Sequence, residues 1–153
     1  MTNEDLKKEA FQFLDEHVTA AMATVNLLGE PEVATMYYYT DDDFNFYFIS
    51  ARNSQKLKNI EANKNVAIVV GFGPAPITIQ VGGIVEIRYD FNDEFVNKIF
   101  EKINFHNLDQ WPVLQLEKEG LIILKVKPKW LVLLNFDKEG HPNTYSHDFH
   151  KLV

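Results

Sequence analysis

The sequence predicts an α+β fold, in which about six mostly antiparallel strands form a small barrel flanked by short helices. Three observations support this prediction. Several segments of strand length alternate between apolar and polar residues, turns of hairpin length separate most of them, and two adjacent glycines interrupt a long strand. The composition agrees, because a hydrophobic content of 46% with twelve Phe residues provides a core for one domain of 153 residues.

Helical spacing marks the start of the chain. Apolar residues recur every three or four positions from about Asn3 to His17, which predicts an amphipathic helix. Residues 18–40 then predict two strands around a turn at Gly29, Glu30 and Pro31. After a second turn, TDDD, strict alternation places three aromatic side chains on one face of a third strand: Phe44, Phe46 and Phe48.

Short helices and strands continue to alternate in the middle of the chain. A helix is predicted from about Ser54 to Asn63, and the apolar run NVAIVVGF that follows predicts a buried strand. Residues 77–88 predict a further strand, in which Gly82 and Gly83 favour a bulge or a sharp bend of the kind that a barrel requires.

The C-terminal third predicts one more helix and one more strand. Residues 90–103 form a second amphipathic pattern, and a loop containing Trp111 follows. Residues 120–136 predict a long strand interrupted at Pro128. We expect one domain over residues 1–153, with a polar tail over residues 137–153 that has no clear period.

Charge and composition exclude several classes of function. The net charge is −7 and the sequence has no basic stripe, so we do not expect the protein to bind nucleic-acid backbones. The absence of cysteine excludes disulfides and thiolate metal sites and fits a reducing compartment. The N-terminus lacks the apolar core of a secretory signal, and no apolar run is long enough to cross a membrane. We therefore expect a cytoplasmic protein.

The junction between the third strand and the following helix concentrates polar side chains. Ser50, Arg52, Ser54 and Lys56 lie within seven residues. The first turn of a helix has backbone N–H groups without intrahelical acceptors and a partial positive charge, so hydroxyls and cations there form a credible phosphate cradle. The same residues also permit a plainer interpretation, in which Asn53 or Ser54 caps the helix and the cations are surface charges.

Two further features favour a ligand over a plain cap. Gln80 lies on the polar face of a strand rich in β-branched residues, and its amide can both donate and accept hydrogen bonds. Three consecutive tyrosines, residues 37–39, occupy both faces of one strand, so at least one face must be covered. A flat ligand or a partner subunit would cover it, although core packing explains any single Tyr equally well.

The succession of these elements from about Phe11 to Phe136 resembles the pyridoxamine 5′-phosphate oxidase-like family of FMN-binding split β-barrels. The resemblance depends on the order of elements, on the spacing of Ser50, Ser54 and Lys56, and on the KPKW break in the last strand. It implies a six-stranded split barrel and a homodimer that holds two FMN molecules at its subunit interface.

The resemblance also implies roles for particular residues. Ser50, Ser54 and Lys56 would lie along the phosphate and ribityl chain of FMN, with Arg52 as an additional contact. Ile49 would also contact the cofactor. The second strand would lie along the flavin ring, which implies contacts from Thr35, Met36 and Tyr37. Gln80 resembles the strand glutamine near the cofactor, and the loop at Trp111 would approach the ring from the partner subunit.

The sequence departs from true pyridoxamine phosphate oxidases in three places. Gln55 stands where an Arg precedes the helix Lys, and Ala34 stands where the second strand begins with an Arg. The C-terminal motif that binds the substrate's phosphate is absent from the tail HPNTYSHDFHKLV. We therefore expect a less cationic phosphate site and a small-molecule substrate other than a vitamin B6 phosphate.

Other chemistry receives little support from the sequence. His147 and His150 are three residues apart, but no third potential ligand lies at a spacing typical of metal sites, so no metal site is predicted. No side chain is a convincing general acid or base, and the catalytic residues stay unassigned. The prediction is an FMN-dependent oxidoreductase acting on an unidentified small molecule. The alternatives are a non-catalytic flavin-binding or stress-related protein, and a deazaflavin- or haem-binding protein of the same fold.

Overall fold

The structure is a computed structural model that describes residues 2–71, 73–74, 76–89, 97–102, 120–135 and 149–153. Its elements are two helices, α1 (Asn3–Glu16) and α2 (Gln55–Ala62), and eight strands. The strands are β1 (Thr19–Val25), β2 (Pro31–Tyr37), β3 (Tyr39–Thr40), β4 (Phe46–Ala51), β5 (Asn65–Val70), β6 (Ile77–Arg88), β7 (Leu121–Asn135) and β8 (Phe149–Lys151). Residues 97–102 form a further helical segment.

The eight described strands belong to one curled sheet with the order β2-β1-β5-β6-β7-β4-β3, and β8 pairs with β7. Every pairing between the described strands is antiparallel. The two ends of the sheet approach each other, because β2 contacts β4, but no strand pairing joins them. The sheet is thus a barrel that remains open along one line, which confirms the predicted split β-barrel.

The predicted strand count differs slightly from the structure. Six strands have six or more residues, and the two additional strands, β3 and β8, have only two and three. Segments this short carry no readable alternation, since their pairing partners decide their conformation. The three residues of β8 lie within the stretch that we expected to be a polar tail.

The glycine pair bends the longest pairing of the sheet, as predicted. The register between β6 and β7 shifts between Gly82 and Gly83, because Gly82 faces Trp130 while Gly83 faces Pro128. Lys129 is the extra residue of this bulge. The expected interruption at Pro128 is therefore a shift in register, and β7 continues through it as one strand.

Apolar side chains form two clusters on opposite faces of the sheet. The larger cluster fills the barrel and contains Phe44, Phe46 and Phe48, which confirms that these three share a face. The smaller cluster lies behind β4 and β7 and includes Tyr47, Ile49 and Ile99. β4 is therefore buried on both faces, which explains why none of its side chains before Ala51 is exposed.

The predicted helices agree with the structure where it describes them. α1 begins with a capping box between Thr2 and Asp5 and buries Ala10, Phe13 and Leu14. Of the second amphipathic pattern, residues 97–102 are helical, and the remaining residues of 90–103 lie outside the described part. Lys102 donates to the carbonyl of Leu14 at 3.0 Å, which ties this segment to the end of α1. Among the described residues, no helix has the length and apolar character needed to span a membrane.

Replacing Gly83 with Ala tests the packing at the bulge. A Cβ atom on Gly83 would lie 2.6 Å from the carbonyl oxygen of Lys127 and 2.7 Å from Cγ1 of Val126. We expect Gly83→Ala to lower the free energy of unfolding by about 1–3 kcal/mol, since the backbone of β7 must move. Gly120→Ala is the control, because a Cβ there meets no described atom within 4 Å. Urea denaturation measures both variants, and equal stabilities would contradict this description of the bulge.

Candidate functional site

A cavity of about 190 Å³ opens beside the line where the sheet fails to close. One wall comes from β1 and β2 and contains Met22, Thr24, Glu32, Val33 and Ala34. Gln55 and Lys56, in the first turn of α2, form the other wall. α2 follows β4 after three residues, so the junction that the sequence singled out lies directly at this cavity.

Three of the predicted side chains contact one another at this junction. Ser50 Oγ and Ser54 Oγ are 3.2 Å apart, and Lys56 Nζ lies 3.5 Å from Ser50 Oγ. Ser50 is only 1% exposed, so its hydroxyl contacts its two neighbours and not solvent. The Ser50 hydroxyl therefore orients the ammonium group of Lys56, which itself reaches the cavity.

The first turn of α2 provides backbone donors next to this ammonium group. Ser54 is the N-cap, and its hydroxyl accepts a hydrogen bond from the amide of Leu57 at 3.2 Å. The amides of Gln55 and Lys56 come earlier in the helix and have no intrahelical acceptor. Burial lowers the pKa of Lys56, because the charged ammonium loses water there. An anion in the cavity would compensate this loss.

Arg52 lies apart from this group. Its guanidinium donates to the carbonyls of Tyr89 at 2.9 Å and Leu121 at 3.3 Å. Tyr89 directly follows β6 and Leu121 begins β7, so the side chain ties the end of β4 to the adjacent strand β7 and to the segment after β6. Of the two predicted cations, Lys56 is the one that lines the cavity.

A polar network supports the opposite wall of the cavity. The side-chain amide of Asn59 is 2% exposed and donates to Thr24 Oγ1 at 3.0 Å and to Glu32 Oε1 at 2.7 Å. Its oxygen accepts a hydrogen bond from Gln55 at 3.0 Å. Each of these partners lines the cavity, so one buried amide sets the positions of three polar side chains around it.

Comparison with known proteins assigns the chain to a family. The model of the pyridoxamine 5′-phosphate oxidase family matches residues 6–135. The chain belongs to this family. General stress protein 26 of Bacillus subtilis (strain 168) is 27% identical over 138 residues, which cover 88% of this chain and 92% of that protein.

Two solved structures show how widely this pyridoxamine 5′-phosphate oxidase fold is used. An F420 reductase is 27% identical, with a TM-score of 0.65 over 78% of this chain and 93% of that one. HutZ, the haem storage protein of Vibrio cholerae, is 16% identical, with a TM-score of 0.63 over 82% and 92% of the two chains. The second likeness is one of fold alone.

The other described residues predicted to contact the cofactor do not line this cavity. On β2, Thr35 is exposed, Tyr37 is half-buried and Met36 belongs to the barrel core. Ile49 is buried in the smaller cluster behind β4. Gln80 is half-buried between Val69 of β5 and Val132 of β7, three strands away from β2. Trp111 lies outside the described residues, and all six assignments stay predictions.

Sequence reasoning missed the residues that form the polar network. Glu32 has the parity of Ala34 and Met36, which pack in the barrel core, but it lies exposed at the start of β2. Its parity alone indicated that it could face the cavity. Asn59 precedes the buried Ile60 and follows the buried Leu57 by two positions, which places an amide on the inward side of a short helix. A buried amide requires partners, and one partner of Asn59 is the exposed carboxylate of Glu32.

Removing the amide of Asn59 should destabilise the protein. Asn59→Ala leaves the buried hydroxyl of Thr24 and one oxygen of the exposed Glu32 without this donor. We expect a loss of about 2–3 kcal/mol in the free energy of unfolding. Gln12→Ala is a matched control, because Gln12 makes the same kind of bond to Glu16 at 2.9 Å on the exposed face of α1. Its expected loss is below about 0.5 kcal/mol. Similar losses in urea denaturation would show that the network adds nothing to stability.

Proposed function

We propose that this protein is an FMN-binding oxidoreductase that acts on a small molecule. The observation that carries the proposal is the placement of Lys56 and the first turn of α2 at a cavity beside the opening of the barrel. An ammonium group and free amides form an anion site, and the phosphate of FMN is the anion that the family relationship suggests.

The residues present fit one end of FMN. Lys56 and the amides of the first turn offer donors to the phosphate, and Thr24, Glu32 and Gln55 offer partners to the hydroxyls of the ribityl chain. The cavity of about 190 Å³ is smaller than the 300–1,000 Å³ that is typical of pockets for molecules of this size. The flavin ring must therefore extend beyond the cavity, toward the exposed surface of β2.

A second copy of the chain would cover the ring. Val33 is 73% exposed on β2, and it begins a row of small residues that crosses the sheet through Ala23, Ala67 and Gly82 to Trp130. A surface of this kind suits contact with another protein surface. We therefore propose a homodimer with the cofactor at its interface, each subunit supplying one polar cavity.

FMN supplies hydride and electron transfer when bound, and the chain's own residues supply position and charge. Lys56 would hold the anionic end in place, and the network around Asn59 would keep the polar wall rigid. No residue among those described is proposed as a general acid or base.

Deazaflavin F420 is the second candidate cofactor, because the F420 reductase is 27% identical over most of the chain. A non-catalytic role in the stress response is the second candidate function, given the similarity to general stress protein 26. The absorption spectrum of the purified protein separates the cofactors, since flavin, deazaflavin and haem absorb differently. Turnover of a reduced nicotinamide by the flavin-loaded protein with candidate acceptors then separates an enzyme from a binding protein.

Lys56→Ala tests the proposed phosphate contact. We expect FMN affinity to fall by about 1–3 kcal/mol, the usual contribution of a charged hydrogen bond. Lys58→Ala is the matched control, because Lys58 is exposed on the same helix and does not line the cavity. Quenching of flavin fluorescence on titration measures both. Equal affinities for the two variants would remove Lys56 from the site.

Val33→Asp tests the proposed dimer. A charge on this exposed apolar position of β2 should repel its copy, and we expect sedimentation to show a monomer where the unchanged protein is a dimer. Leu27→Asp is the control, because Leu27 is 87% exposed but lies in the turn that precedes β2. If the unchanged protein sediments as a monomer at micromolar concentration, the interfacial site must be abandoned.

A further inference from the structure

Glu32 places a negative charge in the same cavity as Lys56. Its backbone is fixed by β2, where it pairs with Thr24 of β1. Its carboxylate is fixed by Asn59 at 2.7 Å on one oxygen and approached by Asn26 at 3.4 Å on the other. Glu32 is exposed, and these contacts hold its charge at the cavity wall.

The side-chain amide of Asn59, which holds Glu32, has both of its donors and its oxygen engaged in hydrogen bonds. Both donor positions of Asn59 are used, one by Glu32 and one by Thr24, and its oxygen accepts from Gln55. Asn59 is 2% exposed, so water cannot readily replace these bonds. Moving the carboxylate away would leave a buried donor unsatisfied, which is costly.

The charges that line the cavity therefore cancel. Lys56 contributes one positive charge, Glu32 contributes one negative charge, and the other lining side chains, such as Thr24 and Gln55, are neutral. Among the described residues, no carboxylate comes within ion-pairing distance of Lys56, so the two charges act on a ligand separately. A phosphate monoester carries a charge of about −1.5 to −2 at pH 7, which exceeds what one lysine neutralises.

A carboxylate repels a phosphate, but it attracts an uncharged hydroxyl group. The carboxylate is a strong acceptor, and a ribityl or ribose hydroxyl can donate to it without any charge repulsion. Thr24, which pairs with Glu32, and Gln55 on the α2 wall add further hydrogen-bonding groups that suit a polyol. The wall formed by β1 and β2 is thus better matched to hydroxyl groups than to a dianion.

We propose that Glu32 sets the specificity of this cavity, by favouring the hydroxyl-rich part of the ligand and penalising a doubly charged phosphate. This proposal rests on the proposed flavin site and deepens it. It follows that the protein discriminates only weakly between FMN and riboflavin, which share the ring and the ribityl chain and differ by the phosphate. Glu32 is a specificity-determining residue, distinct from Lys56, which attracts the anion.

Glu32→Gln tests the role of the charge without disturbing the network, because the glutamine oxygen can still accept the hydrogen bond from Asn59. The protein and its variant are titrated with FMN and with riboflavin, each followed by flavin fluorescence. We expect Glu32→Gln to raise FMN affinity about fivefold and to change riboflavin affinity by less than about twofold. Added salt should reduce the gain for FMN, because Glu32 is exposed and its field is screened.

Glu30→Gln is the matched control. Glu30 lies two residues away and is also within 3.4 Å of the Asn26 amide, but it does not line the cavity. It should leave both affinities unchanged. If Glu30→Gln raises FMN affinity as much as Glu32→Gln does, the effect comes from net charge and the proposal is overturned.

The two flavins also separate this proposal from the one on which it rests. If Glu32→Gln changes both affinities by the same factor, or lowers FMN affinity, the role of Glu32 is overturned while the flavin site stands. If neither flavin binds to the unchanged protein or to the variant, the flavin assignment fails and this proposal fails with it.

Discussion

The sheet curls until β2 and β4 face each other, and the absence of pairing between them creates the candidate site. β4 ends at Ala51 and α2 begins at Gln55, so the first turn of the helix occupies the space beside the free edge of β2. If the two strands paired, the barrel would close and leave no cavity between Ala34 and Lys56. A helix start provides donors at this opening, whereas a closed barrel would use its backbone donors internally.

An open line in a barrel needs support from polar contacts, and the residues around Asn59 provide them. The amide joins α2 to β1 through Thr24 and to β2 through Glu32, which fixes the distance between the helix and the sheet. Lys56 is held from the other side by the hydroxyl of Ser50 at the end of β4. The site thus combines rigid positions with two opposite charges, a combination suited to orienting a ligand that is both charged and hydroxylated.

Local patterns predicted most of the fold. The alternation around Phe46 defined a strand, and Ser54 followed by Leu57 and Ile60 defined the start of α2. Patterns of this kind are short-range, so they could not reveal β3 and β8, which exist because longer strands pair with them. The same limit applies to Pro128, which suggested a break, because the glycine pair on β6 accommodates the shift in register.

The site was predicted only in part, for a similar reason. Ser50, Ser54 and Lys56 are close in sequence, and the structure brings them together. The bond between Asn59 and Glu32 joins residues 27 positions apart, which spacing alone does not disclose. Arg52 shared the spacing of the group, but the carbonyls of Tyr89 and Leu121 attract its guanidinium in another direction.

A crystal structure of the protein with FMN is the most direct test of this account. The account predicts phosphate density within hydrogen-bonding distance of Lys56 Nζ and of the first amides of α2, with the flavin ring covered by a second copy of the chain. FMN bound elsewhere, or a cavity that stays filled by its own side chains at saturating FMN, would contradict it.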